Sequence, residues 1–180
     1  MFMLTKSEID NAIKDKDNFV KISYLNRFLK QADSMEMKKF ILLSLAAINE
    51  SKGLLNDAIK NVTGAAEVSI TFHEKKELYM KEVSLWIKIG EYDIAEKALN
   101  KALSYSSESE KNSMRSLYED SFRAIAKSHE SLGKNRKAIE VYDKLYSITK
   151  NPAVKLETKK NLMDLYWKTG NVREYERLKR

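Results

Sequence analysis

The sequence predicts an all-α solenoid of about five antiparallel helix pairs, on three observations. Four of the five glycines recur at intervals of 37, 43 and 37 residues, each between two segments whose apolar residues have helical spacing. An alanine follows three of these glycines five positions later. One proline and little period-two alternation leave few signals for turns and strands. The glycines are Gly53, Gly90, Gly133 and Gly170, and the alanines are Ala58, Ala95 and Ala138.

The pair around Gly90 shows how each unit is built. Apolar residues recur three and four positions apart from Leu78 to Ile89, and again from Tyr92 to Leu103, which is typical of helices with one buried stripe. A helix ends readily at a residue with positive φ, which glycine adopts without a Cβ clash. An alanine soon after the turn lets two antiparallel helices cross closely. The unit is therefore a helix, a tight glycine turn and a second helix.

The first unit lacks a turn glycine and is predicted to be a degraded copy of the others. Ser7 is the predicted N-cap of a helix over residues 8–15. A second helix is predicted from Asp17 to Ala32, with apolar residues on one face.

The five units are predicted to form a single domain over residues 1–180. The polar stretch from Ser104 to Asn112 delays the start of the fourth unit. Pro152 suits the first turn of the helix that opens the fifth. Neither joint is long enough to be a domain linker. The predicted units span residues 1–33, 36–70, 72–105, 111–150 and 152–180.

Composition excludes several classes of protein. The chain has no cysteine, so disulfides, thiolate zinc sites and cysteine nucleophiles are absent, in keeping with a reducing compartment. Only four apolar residues precede Lys6 in the sequence MFMLTK, too few for a signal-peptide core. No stretch approaches the roughly eighteen apolar residues of a membrane span. We therefore expect a cytoplasmic protein that has no membrane partner.

The net charge of +7 is concentrated at one end of the chain. Residues 134–180 carry thirteen basic and six acidic side chains, whereas residues 91–133 carry six and eight. The preferred interpretation is a solvated, lysine-rich surface. The other is a basic end that attracts an acidic partner.

The residues around two of the glycines resemble the tetratricopeptide repeat. Trp86, Gly90, Tyr92 and Ala95 stand in the positions of its pattern, and so does most of the segment SLGKNRKAIEVYDKLYSITKNP. The resemblance covers about residues 36–180. Glu82 occupies a slot that is usually leucine, and the repeats are longer than the family's roughly 34 residues. The chain therefore resembles a divergent member with long helices.

This resemblance implies both a shape and a function. It implies a right-handed superhelix in which the first helix of each pair lines a concave groove. Members of the family hold peptides and partner proteins, and they are rarely catalytic. The resemblance thus implies a non-catalytic protein–protein interaction scaffold.

No sequence pattern indicates catalysis, a metal or a cofactor. His73 and His129 lack the spacing of a metal site. His129 stands where two other repeats have an aromatic residue, so we expect it to pack rather than to react. Glycine-rich phosphate loops and nucleophile elbows are missing from the sequence. We therefore expect no catalytic residue, no metal ligand and no cofactor.

Residues facing the groove are predicted from their register, ten, six and three positions before each turn glycine. The first half of this groove is apolar or small. In the second half Arg123 and Lys127 lie one turn apart, and Lys160 is expected to approach them from the next unit. The register gives Leu43, Ala47, Glu50, Met80, Ser84, Ile87, Arg123, Lys127, Glu130, Lys160, Asp164 and Trp167.

The three cations allow two interpretations. They would suit a carboxylate or an acidic peptide segment. The preferred alternative is ordinary solvated charge, partly neutralised by Glu130 and Asp164. The residues predicted to bind a partner are Leu43, Met80, Arg123, Lys127, Lys160 and Trp167.

Tyr166 and Trp167 precede a final helix that is too short to cover them well. Either the segment REYERLKR covers both aromatics, or they form a surface for a partner or for a homodimer through the C-terminal repeat. The second reading is preferred.

The alternative function is a nucleic-acid-associated protein that uses the basic C-terminal end. Nucleic-acid binding by repeats needs basic and aromatic residues across many units. Here the basic excess is confined to one end and interleaved with acidic residues. This alternative therefore ranks well behind the scaffold.

Overall fold

A computed structural model describes residues 5–179, which form ten α-helices and no strand. The predicted all-α class is confirmed. Residues 1–4 and Arg180, which belong to the first and last predicted units, lie outside the described residues. The helices are α1 (Lys6–Ile13), α2 (Asn18–Gln31), α3 (Met35–Ser51), α4 (Leu55–Val68), α5 (Phe72–Ile89), α6 (Tyr92–Ser104), α7 (Glu108–Ser131), α8 (Asn135–Ile148), α9 (Pro152–Lys168) and α10 (Val172–Lys179).

Consecutive helices pack as antiparallel hairpins. The most extensive contacts join α3 to α4, α5 to α6 and α7 to α8, and each of these pairs is linked by a turn of two or three residues. One pair then packs on the next through α4 against α5 and α8 against α9. Stacked hairpins that contact mainly their neighbours make an α-solenoid. The right hand of its superhelix stays a prediction.

Each glycine turn closes its hairpin in the same way. Gly90 has a φ of 95°, and the N–H of Glu91 donates to the carbonyl oxygen of Trp86 at 3.0 Å. This bond is the one that closes a Schellman motif and satisfies a carbonyl at the end of the helix. The three other turn glycines have φ values between 67° and 74°. The turn glycines are therefore helix C-caps, as predicted.

The alanines that follow the turns lie in the apolar core. Ala58, Ala95 and Ala138 are all fully buried. One apolar cluster runs without a break beneath α5 to α10, and a separate cluster joins α1, α2 and α3. Glu82 also lies inside, where its carboxylate accepts a hydrogen bond from Trp86 Nε1 at 3.1 Å.

The first helix begins two residues earlier than predicted. Ser7 is not its N-cap, because Thr5 and Glu8 form a capping box in which each side chain bonds the backbone N–H of the other residue. The helix therefore spans Lys6–Ile13 rather than residues 8–15. The second predicted helix is confirmed, since α2 starts directly after an Asp17 cap.

The fourth unit also starts earlier than predicted. Its first helix, α7, begins at Glu108 inside the polar stretch rather than near residue 111. Ser107 and Glu110 form a second capping box, with the Ser107 N–H donating to the Glu110 carboxylate at 2.8 Å. A serine followed three residues later by glutamate is the sequence signature of this cap. As a result α7 has 24 residues, whereas α5 has 18.

Candidate functional site

A hollow of about 480 Å³ lies between α5 and α7, the first helices of two adjacent pairs. Only residues of these two helices line it, so it lies on the face that the second helices leave uncovered. Met80 from α5 and Met114 and Leu117 from α7 supply its apolar wall. Leu117 is 50% exposed, whereas Met114 is buried. The hollow therefore presents an apolar surface to solvent within the row of first helices.

The length of α7 creates this hollow. Because the Ser107 cap starts α7 early, the extra N-terminal turns run alongside the first half of α5. An ion pair between Lys76 of α5 and Glu110 of α7 joins the two helices at the edge of the hollow. His73 and Glu77 form an exposed pair at its rim, 3.2 Å apart. The hollow thus has an apolar wall and a polar rim, as binding pockets commonly do.

Electrostatics hold the Lys76–Glu110 pair in its charged form. The hydrogen bond from Lys76, followed by those from the backbone and side chain of Ser107, lowers the pKa of Glu110 to about 2. The carboxylate is therefore ionised at neutral pH. The side chain of Lys76 is only 13% exposed, and Glu110 is its ion-pair partner.

Arg123 and Lys127, two of the predicted binding residues, lie at the junction of α7 and α9. Arg123 Nη1 donates to Glu157 Oε2 at 3.0 Å, and a second guanidinium nitrogen contacts Asp120. Lys127 Nζ lies 3.8 Å from the other oxygen of Glu157. Burial alone would lower the pKa of Arg123, but its bonds to Asp120 and Glu157 raise it overall. Both cations therefore face carboxylates of their own chain.

The carboxylates that neutralise these cations are not the predicted ones. Glu130 accepts a hydrogen bond from the hydroxyl of the buried Tyr142 at 2.8 Å. Asp164 is exposed and takes part in no ion pair among residues 5–179. The partner is Glu157, which α9 places one helix across from Arg123. The expectation for Glu130 and Asp164 is therefore corrected.

Lys160 and Trp167 belong to a different part of the molecule. Lys160 lines a hollow of about 240 Å³ that only α9 and α10 form, together with Met163 and Tyr175. Trp167 is 67% exposed, and its ring lies 5.4 Å from that of Tyr175. The residues predicted as one groove are thus spread over four places, one of which is α3, where Leu43 is half-buried. Their binding role stays a prediction.

Ile87 is not a groove residue. It is 1% exposed and belongs to the apolar cluster that also contains Phe122 and Ile125 of α7. Because α7 packs over this part of α5, the position three residues before Gly90 is covered by the following pair. The register rule is therefore wrong at this residue.

Tyr166 and Trp167 have different environments although they are adjacent. Tyr166 is buried, and its hydroxyl donates to Asp143 of α8 at 2.7 Å. Burial, followed by this bond to a carboxylate, raises the pKa of Tyr166. The ring of Trp167 lies beside that of Tyr175, and Trp167 stays mostly exposed. The prediction of an uncovered aromatic pair therefore holds for one residue of the two.

Met114, Leu117 and Glu157 were not among the predicted groove residues. The predicted positions extend only ten residues back from each glycine, whereas these three residues lie 13 to 19 positions before theirs. Two features of the sequence could have indicated them: the apolar residues at helical spacing along α7, and the capping box that starts this helix. Their use would have required knowing which neighbouring helix lies opposite.

Neither a metal-ligand cluster nor a helix that could cross a membrane occurs among the described residues. No three His, Asp or Glu side chains within residues 5–179 are placed to hold a metal ion. No helix in that range is both long and apolar enough to cross a bilayer. His129 is half-buried in α7, and burial, followed by nearby Lys137 and Lys134, lowers its pKa.

Fold and surface together define a class of protein, an α-solenoid of helical hairpins with an apolar hollow among its first helices. The structure is similar to the crystal structure of MamA, with 21% sequence identity and a TM-score of 0.44. That alignment covers 98% of this chain and 94% of the other. A TM-score this low carries no argument about function. No protein-family model matches the chain, and no curated protein matches it.

Proposed function

We propose that the protein is a non-catalytic scaffold that holds a segment of another protein along its first helices. The observation that carries this proposal is the hollow between α5 and α7, where Met80, Met114 and Leu117 form an open apolar wall. An apolar side chain of the partner would fill it and shield Leu117 from water. Methionines suit such a role because their flexible side chains adapt to different occupants.

Charge is proposed to orient the bound segment rather than to supply most of its affinity. A segment that leaves the hollow toward α9 passes Arg123 and Lys127. Glu157 already accepts from Arg123, so an acidic partner residue would have to compete with it. Lys127 is 63% exposed and 3.8 Å from Glu157, which leaves its ammonium open to a second carboxylate. The proposed ligand is an apolar anchor residue followed by acidic residues.

The apolar anchor can be tested with peptides selected from a random displayed library against the whole chain. Leu117→Glu should weaken their binding at least about tenfold, because the partner would then bury an unpaired carboxylate in place of an apolar surface. Leu132→Glu is the matched control, since Leu132 is 62% exposed at the end of α7 and outside the hollow.

Methyl NMR locates the bound peptide independently. The Met80 and Met114 methyl signals should shift when the peptide binds, and the Met163 signal should not. Peptides that bind equally well to the Leu117→Glu variant, or that shift only Met163, would contradict the proposed groove.

The acidic part of the ligand is tested at the same site. Lys127→Glu should reduce the affinity for an acidic peptide a few-fold at low salt and much less at high salt, as for exposed ion pairs. Lys60→Glu on α4 is the control, because that side chain is 79% exposed and lies on a second helix. If the chain instead bound single-stranded oligonucleotides, with a steep log-linear loss of affinity in salt, the nucleic-acid alternative would replace the scaffold.

A further inference from the structure

One face of each first helix contacts the pair that follows. Fourteen residues before their turn glycines, Lys39 of α3 and Lys76 of α5 form ion pairs with Glu74 of α5 and Glu110 of α7. Ten residues before Gly133, Arg123 of α7 bonds to α9. These contacts mark the stripe on a first helix that its successor covers.

The same stripe on α9 has no successor among the described residues. Its members are Leu156, Lys160, Met163 and Trp167, which lie fourteen, ten, seven and three residues before Gly170. Leu156 is 70% exposed and Trp167 is 67% exposed. Tyr175 of α10 lies beside Trp167, and a hollow of about 240 Å³ remains along the stripe. We call this surface the end face.

Its charges are arranged to complement a copy of themselves. Lys160 and Asp164 lie one helical turn apart, line the same hollow and take part in no ion pair among residues 5–179. If a second α9 lies antiparallel, with a two-fold axis near Leu162, Lys160 of each copy faces Asp164 of the other. The same axis places Leu156 opposite Trp167. Both the apolar and the charged members of the stripe then find partners.

Within the described residues, α1, the first helix at the other end of the stack, presents no such surface. In α1, the exposed residues are polar, namely Ser7, Glu8, Asp10 and Asn11, whereas Ile9 is buried against α2 and α3. A head-to-tail stack would therefore place this polar helix on the apolar end face. An isologous contact, in which the same patch serves both copies, avoids that mismatch.

We propose that the end face is a homodimer interface, formed by two antiparallel α9 helices around reciprocal Lys160–Asp164 pairs. The interface is independent of the hollow between α5 and α7, so the chain would present two partner grooves per dimer. One helix–helix contact buries a small area, and the dimer is therefore concentration-dependent.

The test is sedimentation of the full chain across about a hundredfold range of concentration. The native chain should pass from monomer to dimer without larger species. Lys160→Asp and Asp164→Lys should each weaken the dimer at least about tenfold, because like charges then face each other twice. Circular dichroism should show unchanged helix content in both variants, since both positions are exposed.

Combining the two charge-reversed chains tests the antiparallel geometry directly. An equimolar mixture of the Lys160→Asp and Asp164→Lys chains should form a heterodimer, and the double variant should recover self-association. Leu132→Glu, at a residue that does not belong to the end face, should dimerise like the native chain. A native chain that stays monomeric, a dimer indifferent to both reversals, or open-ended oligomers would overturn the proposal. Because peptide binding uses another surface, its failure and the failure of the dimer are distinguishable.

Discussion

At the scale of single residues, glycine serves two opposite purposes in this chain. Gly90 ends α5 with a φ of 95°, and a Cβ added there would meet nothing within 4 Å. The backbone conformation alone therefore requires glycine at the turn. Gly64 lies inside α4, where an added Cβ would come 3.5 Å from Leu42, an ordinary van der Waals contact. At that position glycine only raises the entropy of the unfolded chain.

The two glycines therefore make a matched pair of substitutions. Gly90→Ala should lower the free energy of unfolding by about 1–2 kcal/mol, the cost of holding an L residue in the left-handed region. Gly64→Ala should raise it by about 0.5–1 kcal/mol, because alanine is the better helix former. Urea unfolding of both variants measures the difference. Equal effects from the two substitutions would refute this account of the turn.

At the scale of elements, a ladder of ion pairs joins each first helix to the next. Lys6 of α1 pairs with Glu36 of α3 at 2.7 Å. The pairs between Lys39 and Glu74, Lys76 and Glu110, and Arg123 and Glu157 continue the series. The two residues of each pair lie 30 to 35 positions apart in the sequence. The ladder therefore ties the first helix of each pair to the first helix of the next.

This ladder predicts acid sensitivity. Hydrogen bonds from lysine are the main cause that lowers the pKa of Glu36 and Glu74, and for Glu110 the pKa falls from 4.5 to about 2. A lowered folded pKa gives stability that is present above about pH 4.5 and lost as the pH falls toward about 2. Urea unfolding at a series of pH values should show this decline. Glu110→Gln and Lys76→Gln should each flatten it, and profiles unchanged by both would contradict the role of this pair.

At the scale of the whole molecule, the core is divided along the stack. The cluster beneath α5 to α10 contains none of the residues that join α1, α2 and α3. Ile41 and Leu45 of α3 are buried in the second cluster. In a solenoid, stability is approximately a sum over units and their interfaces. The first pair should therefore be removable without unfolding the rest.

A chain that begins at residue 34 tests this division. Circular dichroism should show that its helices persist, with the helical signal reduced in proportion to the missing residues. Exposure of Ile41 and Leu45 should lower its stability by about 3–6 kcal/mol, given about 1.5–3 kcal/mol for each buried aliphatic side chain. Loss of the entire helical signal would show that the stack folds as one indivisible unit.

Local signals in the sequence were enough to predict the helix pairs. The glycine turns, the buried alanines and the Asp17 cap depend on residues a few positions apart, so their spacing is visible in the sequence. The starts of α1 and α7 were predicted wrongly because the capping boxes that set them, although present in the sequence, were not taken as helix starts. Met80 was also found, because its position depends only on the register of α5.

The residues of α7 that face Met80 across the hollow could be known only from the tertiary structure. Met114, Leu117 and Glu157 act through residues more than thirty positions away, and their partners depend on how one pair is set against the next. The sequence by itself determined an all-α chain of hairpins, because helix periodicity and capping are local. Only the packing of α7 against α5 and α9 decided where an apolar hollow opens and which charges are already paired, because such contacts depend on the offset between helices.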